Sequence, residues 1–388
     1  MRWTGKEIGA DLGPEERRLY RQIPGNQGVP ALPSPPPPSY GGGREGKAAG
    51  PSVRLTPSLP RPYDGEVILE QGKRLMGRAF VFPGQGSQAV GMGVDLAGAF
   101  ATARDVFHEI DEALKQNLSK LMREGPESDL VLTENAQPAL MAVSIAVIRV
   151  LEKDGGKPLA SLASHVAGHS LGEYSALTAA GALQLADAAR LLKLRGQSMQ
   201  KAVPVGEGAM AALLGIELKP AQEACKEAAQ GEIVTVANDN GGGQVVVSGH
   251  KAAVERCIET AKPRGAKRGM LLPVSAPFHC PLMQPAADAM QRALETVTLA
   301  TPRVPLIANV LAAEITEPSA IKQRLVEQVT GLVRWRESVQ YMKSQGVEAL
   351  VECGSGKVLS GLVKRIDKEM TGLALNTPAD IEAFLKTS

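Results

Sequence analysis

Between the short apolar stretch His165-Val166-Ala167 and a helical pattern beginning near Glu173 stands Gly168-His169-Ser170-Leu171-Gly172, a G-x-S-x-G. The spacing predicts a strand, a sharp turn and a helix. Small glycines on both sides let the backbone reverse, and the serine hydroxyl is presented at the sheet's edge above the next helix's N-terminus. Glycine is common in this chain, so the strand-turn-helix context, more than the bare pattern, carries the reading.

From Arg78 onward, strand and helix patterns alternate, which predicts an α/β fold with a largely parallel sheet. Arg78 to Phe82 reads as a strand, helical segments follow to about Leu151, and further strands are expected near Val304 to Asn309 and Ala349 to Glu352. One segment has its own order: strand (Ala209 to Leu214), helix (Pro220 to Gln230), strand (Ile233 to Ala237), a turn at Asp239 to Gly243, strand (Gln244 to Ser248), helix (Lys251 to Ala261) and strand (Gly269 to Val274). That βαββαβ order is the ferredoxin-like unit. Residues 206–274 are therefore expected to form a ferredoxin-like small subdomain inserted into an α/β-hydrolase-like large subdomain built from 76–205 and 275–388. Residues 1–75 contain "PALPSPPPPSYGGG" and no sustained period, so they are expected to be disordered. Glu7, Asp11, Glu15 and Glu16 argue against a transit peptide, and the apolar core of a secretory signal is missing. The native start is expected at Met76, with the preceding residues a non-native extension.

Composition narrows the function classes. A net charge of +2 without a basic stripe gives no reason to expect nucleic acid or an anionic membrane as a partner. The longest apolar run, around Ala139 to Val150, is interrupted by Ser144 and Arg149 and is far shorter than the roughly 20 residues that span a bilayer. Cys225, Cys257, Cys280 and Cys353 form no C-x-x-C pair, so neither a metal site nor a disulfide framework is indicated, and a cytoplasmic setting is expected.

A serine nucleophile needs a base. His108 lies in a polar helical stretch and His250 at a helix start, and His165 and His169 are too local to reach over the turn. His279 follows the expected strand ending at Val274 and precedes a helix whose first turn contains Pro281; a helix N-terminus would keep its ring neutral and able to accept a proton. Arg195 falls on a helix face that otherwise reads as core, four and three residues after Leu191 and Leu192. A guanidinium there calls for an anion, and a substrate carboxylate is a natural partner; a snorkelling arginine with its head in water is the alternative. Two other stretches mimic nucleotide motifs. Gly84-Gln85-Gly86-Ser87-Gln88-Ala89 fits G-x-G-x-x-G/A, but Arg104 to Leu114 is helical in pattern where a second strand ending in an acid belongs. "CGSGKVLSG", Cys353 to Gly361, has Val358 in place of the magnesium-holding Ser or Thr.

"FVFPGQGSQ", "GHSLGEYSAL", "ANDNGGGQVVVSG" and "VSAPFHCPLM", in this order and spacing, resemble the malonyl-CoA:acyl carrier protein transacylases of bacterial fatty acid synthesis and the related acyltransferase domains of polyketide synthases, over residues 78 to about 385. The resemblance implies ping-pong transfer through a malonyl ester of Ser170, with His279 as base and malonyl-CoA and holo acyl carrier protein, which carries the phosphopantetheine thiol, as substrates. It needs no cofactor and suggests a monomer. It implies an oxyanion hole from the backbone N–H groups of Gln85 and Leu171, a grip on the malonyl carboxylate by Arg195, and a main-chain carbonyl of Gln328 holding the histidine. Phe278 matches a malonyl-type pattern that leaves little room for an α-methyl branch. A basic patch facing an acidic carrier helix is also expected. A serine esterase or thioesterase with a triad acid between Ser170 and His279, such as Asp239, remains a competing reading, as does a nonenzymatic carrier-binding module.

Overall fold

A computed structural model describes residues 77–387; the expectations for residues 1–75 and for a start at Met76 lie outside the described residues. In chain order the strands are β1 (Arg78–Phe82), β2 (His165–Gly168), β3 (Gly208–Leu214), β4 (Val234–Gly241), β5 (Gln244–His250), β6 (Arg268–Leu271), β7 (Leu306–Ala308), β8 (Ala313–Ile315), β9 (Ala349–Cys353) and β10 (Thr371–Leu375). Six of them form one sheet in the order β10-β9-β1-β2-β7-β8, parallel except for the β7–β8 pair. The chain is thus α/β. β1 and β2 read as short continuous apolar runs because helices cover both faces of the sheet centre, where an exposed side chain would have no water to meet. Phe82 pairs with Gly168, so the carboxyl ends of β1 and β2 lie side by side, and the two loops that follow them share one edge. In open α/β sheets that edge, where the chain runs off in opposite directions from a central strand, is where ligands bind.

The apolar run noted above is the helix Thr133–Arg149, in which every residue from Asn135 to Ile148 is buried. It packs against the helix Leu185–Ala202, and the pair supplies much of the larger core. Among the described residues no helix is long and apolar enough to cross a membrane.

The other four strands form an antiparallel sheet, β4-β5-β3-β6, with the helices Leu218–Ala229 and Lys251–Ala261 packed against it around a separate core. Most boundaries fall within two residues of the sequence reading, and two differ by more. The strand expected to end at Ala237 continues to Gly241, because register shifts between Val236 and Asn238 and between Asp239 and Gly241 absorb the glycine-rich stretch without ending the pairing. The last strand stops at Leu271 instead of Val274. β8 and β10 were not foreseen; both are short edge strands with too few residues to establish a period. Cys225 and Cys257, distant in sequence, meet with their sulfurs 3.6 Å apart between the two helices.

Candidate active site

Ser170 stands at the turn between β2 and the helix Gly172–Ala179. The turn is tighter than expected in one respect: its flanking glycines have ordinary dihedrals, and Ser170 itself takes the left-handed conformation, φ 55°. The glycines serve close approach. A Cβ on Gly172 would lie 2.2 Å from Phe82 O, and one on Gly168 1.9 Å from Gly172 O. A left-handed serine costs roughly 1–2 kcal/mol and persists only where its surroundings over-determine it. They do so through side chains: Ser170 N–H donates to Asn309 Oδ1 (2.8 Å), Asn309 Nδ2 donates to Gly168 O (2.6 Å), and Gln328 Nε2 donates to Ser170 O (2.9 Å).

The loop after β6 brings His279 across to the serine. Its Nε2 lies 2.7 Å from Ser170 Oγ, and its Nδ1 2.8 Å from Gln328 O. A carbonyl oxygen only accepts, so Nδ1 carries the hydrogen and Nε2 presents a lone pair to the hydroxyl. His279 is buried, and burial first, then the positive charge of Arg195, pushes its pKa down to about 3. The expectation of a ring kept neutral by a helix N-terminus needs correction in its cause: a 3₁₀ turn, Pro281–Met283, follows, the α-helix starts only at Gln284, and burial does the work.

This has a measurable consequence for stability. Unfolded histidine titrates near 6.5 and folded His279 near 3, so between those values the unfolded chain binds the extra proton and stability falls as pH falls. His279→Gln removes that dependence. The wild-type minus variant difference in unfolding free energy should therefore shrink below pH 6.5, by up to about 1.4 kcal/mol per pH unit. Denaturant titrations at several pH values check it, and a difference constant across them would refute the buried neutral ring.

Arg195 is 1% exposed, which rules out the snorkelling reading. Its guanidinium donates to three neutral acceptors, Gln137 Oε1 (2.9 Å), Gln328 Oε1 (2.7 Å) and Ser170 Oγ (3.1 Å), while its Nε has no hydrogen-bond partner among the described residues. No carboxylate pairs directly with it among the described residues, although Glu173 lies near enough to act on it through its charge. A buried cation with a spare donor beside a serine hydroxyl can receive an anion.

The other candidates fall around this centre. Gln85 and Leu171 occupy the two loops at the shared sheet edge, and neither backbone N–H has an acceptor among the described residues; the Gln85 side chain donates to Thr133 Oγ1 at 3.3 Å. Phe278 is buried in the larger core immediately before His279. Asp239, the acid considered for a triad, is held instead by Arg336 Nε at 2.8 Å and by Gly241 N–H. His108 is exposed, His250 Nδ1 accepts from Ile233 N–H, His165 lies beside Glu314, and His169 is tied to Asn240. Among the described residues no group of three or more His, Cys, Asp or Glu could hold a metal ion.

Three residues of the site went unseen in the sequence: Gln137, Glu173 and Asn309. Glu173 is the only charge on its helix, and burial raises its pKa to about 7 against the opposing hydrogen bonds of Gln328 and Asn309 and the charge of Arg195. A lone acid in an apolar helical run beside a proposed nucleophile was the available signal. Gln137 likewise interrupts an apolar run.

The arrangement supplies a polarised serine, a neutral base held by a carbonyl, two free N–H groups and a buried cation, which together suit acyl transfer from an acid-bearing ester or thioester. Comparison with known proteins agrees. Residues 79–372 match the family described as acyl transferase domain. The chain is 48% identical over 308 residues to the malonyl CoA-acyl carrier protein transacylase of Escherichia coli (strain K12), covering 79% of this chain and 98% of the relative. Among solved structures it resembles the acyl-carrier-protein-S-malonyltransferase from Bartonella henselae, with TM-score 0.78, 55% identity, and 80% and 99% of the two chains covered. It also resembles a malonyl-transacylase solved in complex with a holo type II polyketide acyl carrier protein, with TM-score 0.78, 45% identity, and 80% and 100% covered.

Proposed function

The chain belongs to the acyl transferase family and, within it, to the malonyl CoA-acyl carrier protein transacylases, and from that premise we infer how its residues act. The enzyme transfers malonyl from malonyl-CoA to acyl carrier protein for fatty acid synthesis. Ser170 Oγ attacks the thioester carbonyl as its proton passes to His279 Nε2. The oxyanion is received by the N–H groups of Gln85 and Leu171, one such donor lowering the barrier by roughly 3 kcal/mol. Collapse expels the CoA sulfur, which takes the proton back from His279 and leaves a malonyl ester on Ser170. The phosphopantetheine thiol of the carrier then repeats the steps in reverse order. A thiolate is a good leaving group, so the imidazolium needs only a brief existence; a carbonyl partner, weaker than a carboxylate, suffices.

The observation that carries the substrate assignment is Arg195, buried and bonded only to neutral acceptors. It receives the free carboxylate of the malonyl group. Phe278 narrows the pocket against an α-methyl branch, a discrimination of about 1–3 kcal/mol. The two sheets support a reading as an α/β-hydrolase-like subdomain with a ferredoxin-like insertion, since β4-β5-β3-β6 follows that unit's strand order. One chain supplies every group of the site, which suits a monomer. The serine-hydrolase reading loses its main requirement, because His279 Nδ1 meets a carbonyl and Asp239 is engaged elsewhere.

Incubation with malonyl-CoA and no acceptor should give, by intact mass, a malonyl adduct that holo acyl carrier protein discharges. Rapid release of free malonate without an adduct would point to a hydrolase, and no reaction at all to a binding module.

A further inference from the structure

We propose that Glu173 is a positioning residue: its carboxylate holds the Gln328 side-chain amide in one orientation, and through that amide places the Arg195 guanidinium and the backbone of Ser170. The proposal rests on the acyl-transfer reading above and extends it to a residue that touches neither substrate nor nucleophile side chain.

Gln328 is wholly buried, and the two ends of its amide do different things. Oε1 accepts from Arg195 Nη2 at 2.7 Å, whereas Nε2 donates to Ser170 O at 2.9 Å and to Glu173 Oε2 at 2.6 Å. Turned over, the amide would set its NH₂ against the guanidinium, donor to donor, and its oxygen against two acceptors. A carboxylate oxygen without a proton only accepts, so Glu173 admits one of the two orientations. The same Oε2 accepts from Asn309 N–H at 3.4 Å, adjoining the side chain that holds Ser170 N–H and Gly168 O. The other oxygen, Oε1, is buried with no hydrogen-bond partner among the described residues. When Glu173 carries a proton, Oε1 is the oxygen free to hold it, and Oε2 accepts in either state. A buried acid with one orphaned oxygen is costly to the fold, and among the described residues its one side-chain hydrogen bond is to the amide that links the Arg195 cation to the backbone of Ser170.

The role depends on where the acceptor sits more than on charge, and two variants separate these. Glu173→Gln keeps an oxygen at the same reach without charge; Glu173→Asp keeps the charge and withdraws the oxygen by about one carbon–carbon bond. Expected results are malonylation of Ser170 within about threefold of wild type for E173Q and reduced about 30-fold for E173D, since a misplacement of about 1 Å in supporting groups costs up to 10²-fold. E173D should also narrow the preference for malonyl-CoA over acetyl-CoA, because Arg195 is misplaced with the amide. In a Gln328→Ala background, which retains the main-chain carbonyl that His279 uses, E173D should change the rate by less than about twofold, the mark of a residue acting through its partner. An additive loss in that background, or E173D active and E173Q crippled, overturns the proposal. Loss of melting temperature in E173D with unchanged rate per folded molecule also overturns it, by reducing Glu173 to a packing role. If the wild-type protein itself forms no malonyl adduct, the acyl-transfer reading falls and this proposal with it.

Discussion

Ser170→Ala should leave a folded protein that forms no malonyl adduct and whose turnover falls by on the order of 10⁴-fold or more, the loss typical when the nucleophile of a hydrogen-bonded catalytic unit is removed. The structure separates this loss from unfolding. The strained turn at Ser170 is held by Asn309 and Gln328 through the main-chain N–H and C=O, neither of which the substitution touches. Arg195 Nη2 loses Ser170 Oγ but retains Gln328 Oε1. The melting temperature should therefore stay within about 3 °C of wild type. Intact mass after malonyl-CoA, peptide mapping of any label and a thermal melt make the measurement. A label that persists on another residue, with transfer to the carrier intact, would sink the assignment of the nucleophile.

Arg195→Ala should reverse substrate preference. Removing one member of a buried, hydrogen-bonded charge pair costs about 2–5 kcal/mol, so kcat/KM for malonyl-CoA should fall by roughly 30- to 4,000-fold. Acetyl-CoA offers no carboxylate and needs no cation. The substitution also frees Gln137 and Gln328 of a donor and opens a cavity, but both substrates bear that damage equally, and their ratio cancels it. The lost positive charge lets His279 hold a proton more readily, since Arg195 is the second cause of its lowered pKa, which improves the base for either thioester. Rates of Ser170 acylation by the two thioesters, measured in parallel, decide the matter; an equal loss for both would leave Arg195 a structural role only.

Much of the fold was legible because its signals are local. The strand-turn-helix around Ser170, the buried runs of β1 and β2, and the alternation from Gly208 to Leu271 each follow from the period and turn chemistry of neighbouring residues. β10 escaped because an edge strand of five residues with partly exposed side chains imposes no pattern. At the site the sequence named the serine and the histidine by their chemistry and placement and left Arg195 open between an anion's partner and a snorkelling side chain, while its grip on a carboxylate, like the roles of Gln85, Leu171 and Gln328, rested on likeness to a family. Gln137 and Glu173 stood out only as polar interruptions of apolar runs and Asn309 not at all, since a polar residue's worth inside a core depends on which partner it meets, and those partners lie 58, 155 and 139 residues away.

By itself, then, the sequence determined that this chain would build a mostly parallel α/β sheet and set a serine on a sharp turn at the end of a strand, because both follow from contacts within a few residues. Only the tertiary structure decided what that serine can do. Parallel pairing of Phe82 with Gly168 brought the Gln85 loop beside it, and burial, an effect of the whole core, keeps the His279 ring neutral and encloses the Arg195 guanidinium among neutral acceptors. It also placed the carbonyl of Gln328 where a hydrolase would put a carboxylate, a distinction between two reactions that no local pattern of residues carries.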